Sequence, residues 1–408
     1  MESTGYIKHE RGPRSAIPTF MRDQATLDCY SATAARARVL IADDQAHVRD
    51  ALALLLKSYG YRTTAVSDPS HVVEALDSEQ FDVVLLDMNY ERDTTAGGEG
   101  LELVSQIRKR DKNLPMIVMT AWGSVELAVE AMQRGASEFV QKPWDNRQLL
   151  GKLQAQIDRA RAVRVAQRCH EEELREAQEV QHRLLPKELP NVVDYEIAAM
   201  TRPAHCLGGD YYDVVRISER ETVISIADVA GKGIPAALLM SNLQAALKPL
   251  LRQRLAPREL CRRLNRTLCD ITPLGKFVSF FCGVLDSQDN RLVYCNAGHN
   301  PPIVVRGQDQ AIELNAAGAV LGQFPDWVYE QSEIRLQSGD ALLLFTDGLI
   351  DAWNEEEEPF GESNLVRIAQ ERRGAAAVEL MESFLAAASE HCGGHFQDDA
   401  SVVIVRAI

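Results

Sequence analysis

The chain has 408 residues and a formal net charge of −15, from 59 acidic and 44 basic side chains. At about 150 residues per domain, that length holds two or three domains. With 46% apolar and 25% charged residues, the composition is that of a folded globular protein rather than a disordered, collagen-like or disulfide-scaffold chain, and the acidic balance argues against a broad nucleic-acid or membrane-surface footprint.

Residues 1–36 carry no periodicity and read as a flexible N-terminal arm. They contain basic residues but no apolar core, so they are not a secretory signal. No apolar run approaches the ~18 residues of a spanning helix. None of the 8 cysteines belongs to a C-x-x-C pair, which points to reduced thiols in a cytoplasmic protein.

Over residues 37–143, apolar runs alternate with helical patterns. Strands are expected at 39–42, 61–66, 83–86, 115–119 and 138–140, and helices at 47–58, 70–78, 100–109 and 125–134. Such alternation means a parallel sheet. Apolar runs without a period of two mean strands covered on both faces. The expectation is an α/β doubly wound domain of five parallel strands.

Residues 144–185 read as helix, ended by Pro186 and Pro190. Leu150, Leu153, Ile157 and Ala160 form one seam. Leu174, Ala177, Gln181 and Leu184 form another in a shifted register, with Arg164, Gln167 and Glu171 between them. This is a weak coiled coil with a phase slip, or a solvated connector. From 186 to 408, strand patterns at 222–227, 277–285, 291–296, 302–305, 341–345 and 401–405 are interrupted by helical ones at 234–251, 257–269 and 375–392. That is an α+β domain. The acidic run at 355–358 reads as a solvated loop.

Two groups of acids carry the chemistry. In the first domain Asp43 and Asp44 follow the first strand and Asp87 ends the third. Thr120 ends the fourth and Lys142 follows the fifth. Ligands of open parallel sheets bind beyond the carboxyl ends of the strands. Three carboxylates gathered there repel one another unless a divalent cation sits among them. Thr120 and Lys142 are then placed to contact a phosphoryl group on Asp87.

This constellation resembles the receiver domain of bacterial response regulators. The resemblance implies a flavodoxin-like fold, phosphorylation of Asp87 by a sensor histidine kinase, and Mg²⁺ held by Asp43, Asp44, Asp87 and the Asn89 carbonyl. It also implies a switch at Thr120 and Lys142, with a cis Lys142-Pro143 peptide. Gly100 lies 13 residues beyond Asp87, a longer loop than the family's. The insert at 91–99 is therefore expected to alter access.

In the larger domain the acids stand in four motifs: Gly208-Gly209-Asp210-Tyr211-Tyr212-Asp213, Asp228-Val229-Ala230-Gly231-Lys232-Gly233, Phe345-Thr346-Asp347-Gly348 and Asp398-Asp399-Ala400-Ser401. A carboxylate at the end of a buried strand is costly unless hydrogen-bonded or bound to a metal. Carboxylates suit Mg²⁺ or Mn²⁺ rather than Zn²⁺. Two such ions sharing one carboxylate would activate a water. Ser279 shows no evident base, and His299 reads as a histidine holding a tight turn.

With Leu184-Leu185-Pro186, Gly233-Ile234-Pro235-Ala236-Ala237 and Asn296-Ala297-Gly298-His299-Asn300-Pro301-Pro302, these motifs resemble the metal-dependent PPM-type serine/threonine phosphatases. The match is to their bacterial branch, typified by RsbU and the stage II sporulation protein E. The resemblance implies a β-sandwich flanked by helices and two Mn²⁺ or Mg²⁺ ions. Asp228 would bridge them, Asp210 would bind one, and Asp347 and Asp398 the other. The Val229 carbonyl would contribute, and Asp399 is the alternative to Asp398. Where eukaryotic relatives place a histidine, this chain has Ala230.

The sequence thus predicts a receiver-controlled phosphatase that forms a homodimer and makes no direct DNA or membrane contact. By resemblance, its substrate is a phosphoserine or phosphothreonine protein such as an anti-sigma-factor antagonist. The competing reading is a non-catalytic adaptor that binds and releases a regulatory protein under receiver control.

Overall fold

The structure, a computed structural model, describes residues 37–90, 98–120, 125–307, 310–315 and 318–408. The expected arm at 1–36 and most of the 91–99 insert lie outside them. The chain divides into two compact units, one ending at Cys169 and the other beginning at His170.

In the first unit, β1 (Arg38–Ala42), β2 (Arg62–Val66), β3 (Val83–Asp87), β4 (Met116–Thr120) and β5 (Glu138–Gln141) form a parallel sheet in the order β2-β1-β3-β4-β5. Every residue of β3 and β4 is buried, because side chains of opposite parity enter two separate cores. Val39, Ile41, Val83 and Leu85 face one, and Leu40, Ala42, Val84 and Leu86 the other. Helices α1 (Ala46–Ser58), α2 (Pro69–Ser78), α3 (Gly98–Arg110) and α4 (Val125–Gln133) connect the strands. Asp68 caps α2, accepting from the Ser70 N–H at 3.1 Å and the His71 N–H at 3.3 Å. The strand order reverses direction at β1, which opens a crevice beyond the carboxyl ends of β1 and β3.

The helix expected at 144–185 is α5, Asn146–His182. Its first half does not serve a coiled-coil seam. Leu149, Leu153 and Ile157 are buried in the core formed by Ile41, Leu52, Leu85 and Val140, and the Tyr61 hydroxyl donates to Gln154 Oε1 at 2.7 Å. Burying three such side chains is worth about 1.5–3 kcal/mol each, far more than an exposed helix with charged seam positions would gain. Of the seam expected at Leu150, Leu153, Ile157 and Ala160, Leu153 and Ile157 face the sheet of the same unit, and Leu149 rather than Leu150 is fully buried beside them.

In the second unit, β7 (Tyr211–Arg216), β8 (Glu221–Val229), β9 (Val278–Asp286), β10 (Arg291–Ala297) and β13 (Ser332–Arg335) form one antiparallel sheet. A second contains β6 (Tyr195–Arg202), β11 (Ile303–Arg306), β12 (Gln310–Glu313), β14 (Ala341–Phe345) and β15 (Ala400–Ala407). The two pack face to face. Leu342 and Leu344 of β14 enter the core shared with β8, β9 and β10. Leu343 and Phe345 point to the other side, against helices α9 (Glu362–Glu371) and α10 (Ala377–His391). Helices α6 (Ile234–Leu251) and α7 (Pro257–Cys269) cover the outer face of the first sheet. The result is the expected helix-flanked sandwich. Strands β6, β7, β12 and β13, helix α9 and the short helix over Asp347–Ile350 were not among the expected elements.

Candidate functional site

The crevice of the parallel sheet gathers all five residues expected there. Asp43 and Asp87 are buried, as is Thr120. Lys142 Nζ lies 2.7 Å from Asp43 Oδ2 and 2.9 Å from Asp87 Oδ2. Its backbone N–H donates to the Thr120 carbonyl at 2.7 Å, which fixes the segment after β5 against the end of β4. The Lys142–Pro143 peptide is cis. Burial raises the Asp87 carboxyl above its ordinary value, against the hydrogen bond and charge of Lys142 and the Asn89 N–H. The side chain of Asn89 is exposed.

Among the described residues, Asp43, Asp44 and Asp87 are the group whose carboxylate oxygens lie within 4.8 Å of one another. Asp44 Oδ1 is buried without a hydrogen-bond partner. Three converging carboxylates with an orphaned oxygen fit a hard divalent cation.

The acids of the sandwich sit where β-strands end. Asp228 is near the end of β8, and Asp347 opens the short helix α8 (Asp347–Ile350) directly after β14. Asp398 and Asp399 precede β15, and Asp210 precedes β7. Gly348 lets these segments meet, because a Cβ there would overlap the Asp399 carbonyl oxygen. The Val229 carbonyl oxygen faces Gly209, next to Asp210.

These carboxylates feel one another. Burial, and then the charges of Asp347 and Asp398, push the Asp228 carboxyl up to about 7. Burial and Asp228 raise Asp210 well above the usual carboxylate range. Burial and Asp398 raise Asp347. Asp210 Oδ2 accepts from the Thr346 hydroxyl at 2.7 Å, whereas its Oδ1 is buried without a partner. Acids so destabilised in their charged form, one with an orphaned oxygen, fit divalent cations. They are set wider than the three acids of the crevice, so water would have to complete the coordination, as Mg²⁺ commonly allows.

Asp398 and Asp399 behave differently. Asp399 is buried and accepts from the Ala204 N–H at 2.9 Å and the Gly209 N–H at 2.7 Å. Both of its oxygens are thus committed to the segment leading into Asp210. Asp398 is half-exposed and pairs with Lys232 at 3.0 Å. Asp213, the last residue of its motif, accepts from the Tyr211 hydroxyl and pairs with Lys248 at 2.6 Å.

Ser279 does have a base within reach, contrary to expectation: His299 Nδ1 is 2.8 Å from its hydroxyl. The other ring nitrogen lies 3.1 Å from the Phe345 carbonyl. Since that carbonyl can only accept, Nε2 donates to it and Nδ1 accepts from Ser279. The ring is buried, and burial lowers its pKa to about 4. This is a neutral cross-link between β9 and β14, immediately behind Asp228 and Asp347, whereas the tight turn expected at His299 is held by its backbone, which accepts from the Asn296 side-chain amide at 2.8 Å and donates to it at 2.7 Å.

Three positioning residues had no assigned role in the sequence. Thr346 orients Asp210 and accepts from the Ser401 N–H at 2.9 Å. Gln181 clamps Gly208, donating to its carbonyl at 2.7 Å and accepting from its N–H at 3.1 Å. Lys232 pairs with Asp398. Thr346 and Lys232 were visible inside the acidic motifs. Gln181 had no local signal, because its partner is 27 residues away.

Two family models match the chain: the response regulator receiver domain over residues 39–154 and the stage II sporulation protein E family over 218–408. The chain is 30% identical to the phosphoserine phosphatase RsbU of Bacillus subtilis over 239 residues, which is 57% of this chain and 70% of that protein. It is 32% identical to the transcriptional regulatory protein FixJ of Bradyrhizobium diazoefficiens over 125 residues, 31% of this chain and 58% of that protein. Among solved structures, the SiaA-PP2C domain of Pseudomonas aeruginosa superimposes with a TM-score of 0.54 at 22% identity, covering 59% of this chain and 98% of that domain. That likeness establishes the sandwich fold. Among the described residues, no helix is long and apolar enough to cross a membrane.

Proposed function

The chain belongs to the family of the phosphoserine phosphatase RsbU, and from that premise we propose that it is a two-component response regulator in which phosphorylation of Asp87 controls a metal-dependent protein serine/threonine phosphatase. It joins a receiver domain to a phosphatase domain of the stage II sporulation protein E type. A sensor histidine kinase is the phosphoryl source. The substrate is a phosphoserine or phosphothreonine protein, with a phosphorylated anti-sigma-factor antagonist as the leading candidate.

The observation that carries this reading is the convergence of Asp210, Asp228 and Asp347 at adjoining strand ends, where burial first and then a neighbouring aspartate charge raises each carboxyl and Asp210 Oδ1 is buried without a partner. Asp228 would be shared by two Mn²⁺ or Mg²⁺ ions, with Asp210 on one side and Asp347 and Asp398 on the other, and the Val229 carbonyl nearby. Such ions, when bound, neutralise the acids and polarise a water for attack on phosphorus. The protein's own groups hold this arrangement in place. Thr346 orients Asp210, Asp399 ties the 204–209 segment to the start of β15, and His299 joins the two sheets behind the site. The buried Ser279 hydroxyl is committed to His299, which supports direct hydrolysis over a seryl-phosphate intermediate. In the receiver, Asp43, Asp44, Asp87 and the Asn89 carbonyl would hold Mg²⁺, and Thr120 and Lys142 would contact the phosphoryl oxygens.

The test is phosphate release from a phosphoserine protein, with Mn²⁺ and with chelator, before and after phosphorylation of Asp87. Metal-dependent release that responds to Asp87 phosphorylation is expected. A folded, metal-loaded, Asp87-phosphorylated and unphosphorylated protein that releases none would instead favour the adaptor.

A further inference from the structure

Lys232 stands between Gly231 (φ 111°) and Gly233 (φ 68°), in the turn leading from Asp228 into α6. Its ammonium lies 3.0 Å from Asp398 Oδ2 and 2.6 Å from the Gln397 carbonyl oxygen. The motif that carries Asp228 therefore supplies its own monovalent cation to Asp398, whose charge also acts on Asp228. Lys232 and Asp398 have side-chain exposures of 48% and 43%. An ion pair so open to water is weakly held and readily exchanged, and a divalent cation at Asp398 competes with the ammonium directly.

The surrounding ring is acidic: Asp210, Asp228, Asp347 and Asp398. A phosphomonoester dianion approaching it needs positive charge on its solvent side as well. Lys232 is the cation at the rim, and Lys276 Nζ packs over Gly231, where a Cβ would collide with it. An ammonium freed from Asp398 has three rotatable donors on a flexible stem, suited to a phosphoryl group as a point charge.

We propose that Lys232 is an exchangeable counter-cation of the phosphatase site: it neutralises Asp398 before a divalent cation arrives and, once displaced, binds the phosphoryl group of the substrate. The inference rests on the phosphatase reading and adds to it a residue that couples cation loading to substrate binding.

The test is calorimetry on the full chain carrying Asp44→Asn, which weakens the receiver's cation site, with and without Lys232→Gln or Lys232→Arg. Mn²⁺ is titrated first, then inorganic phosphate into the Mn²⁺-loaded protein. Lys232→Gln should bind Mn²⁺ several-fold more tightly, because the competitor is gone. It should bind phosphate about tenfold more weakly, the loss expected for one charged hydrogen bond. Lys232→Arg, which keeps the charge, should stay near the parent in both. Unchanged or weaker Mn²⁺ binding by folded Lys232→Gln, or unchanged phosphate binding, would overturn the proposal. Neither titration requires turnover. A chain that binds Mn²⁺ and phosphate as described but releases no phosphate from a phosphoprotein would therefore sink the phosphatase reading and not the exchange.

Discussion

The imidazole of His299 accepts a hydrogen bond from the Ser279 hydroxyl at 2.8 Å, an arrangement that in an open site would suggest a nucleophile and its base. Here it is a brace. The second ring nitrogen is spent on the Phe345 carbonyl, and the pair ties the strand opposite Asp228 to the strand that delivers Asp347.

Replacing His299 by Phe keeps the volume, leaves the Phe345 carbonyl without its imidazole donor, and leaves the Ser279 hydroxyl only the Asp228 carbonyl, at 3.4 Å. A buried group left unpaired costs about 1–3 kcal/mol, so chemical denaturation should show the second unit destabilised by that order. The ring's pKa, about 4 against an ordinary 6.5, means that the unfolded chain takes up a proton which the folded one refuses. The wild-type protein should thus lose stability relative to His299→Phe as pH falls from about 6.5 to about 4. The pH–rate profile above pH 5 should show no His299 limb.

Asp228 works in the opposite sense. Its carboxyl is raised from 3.8 to about 7 in the fold, so in chelator the folded state holds a proton that the unfolded state releases. Stability from this group is full below about pH 4 and is lost as pH rises toward 7. Asp228→Asn should therefore melt higher than wild type at pH 7.5 in chelator, by about 2 °C or more. Added Mn²⁺ should raise the wild-type midpoint and close or reverse that difference. Phosphate release should fall at least about a hundredfold in the variant, as for loss of a group that acts in the transition state.

The neighbouring acids should separate cleanly. Asp399→Ala abandons the Ala204 and Gly209 N–H groups, each hydrogen bond to a charged acceptor being worth about 1.5–3 kcal/mol, so its unfolding midpoint should drop sharply. Asp398→Asn removes a half-exposed ion pair and keeps the oxygen that accepts from the Asp399 N–H, so it should change stability by no more than about 1 kcal/mol. It should nevertheless weaken Mn²⁺ binding measured by calorimetry. Equal loss of stability in both would contradict the division of labour drawn from their hydrogen bonds.

In the receiver, Asp87→Asn should abolish acid-labile phosphate incorporation from acetyl phosphate with Mg²⁺, read on a phosphate-affinity gel. Asp44→Asn leaves Asp87 in place but removes one of three cation ligands, and incorporation should fall about tenfold or more. Lys142→Gln should raise the Asp87 carboxyl further, because burial and the Asp43 charge would then act without the opposing ammonium.

The two-domain plan and the order of the acids are legible in the sequence. Both are written locally: apolar runs covered on two faces such as β3 and β4, helical spacing between them, and aspartates placed where those runs stop. What depends on pairing across the chain was decided only in three dimensions. The seam over Leu153 and Ile157 looks the same whether its partner is another helix or its own sheet, because periodicity records which face is buried and not what buries it. Edge strands such as β12 and β13 are short and largely exposed, so they owe their existence to ladder hydrogen bonds rather than to composition. Asp398 and Asp399 are indistinguishable as neighbours in sequence. They part because one meets two backbone N–H groups nearly two hundred residues away and the other meets Lys232. Hydrogen bonds over such separations leave no local trace, so what each carboxylate meets was settled only by the tertiary structure.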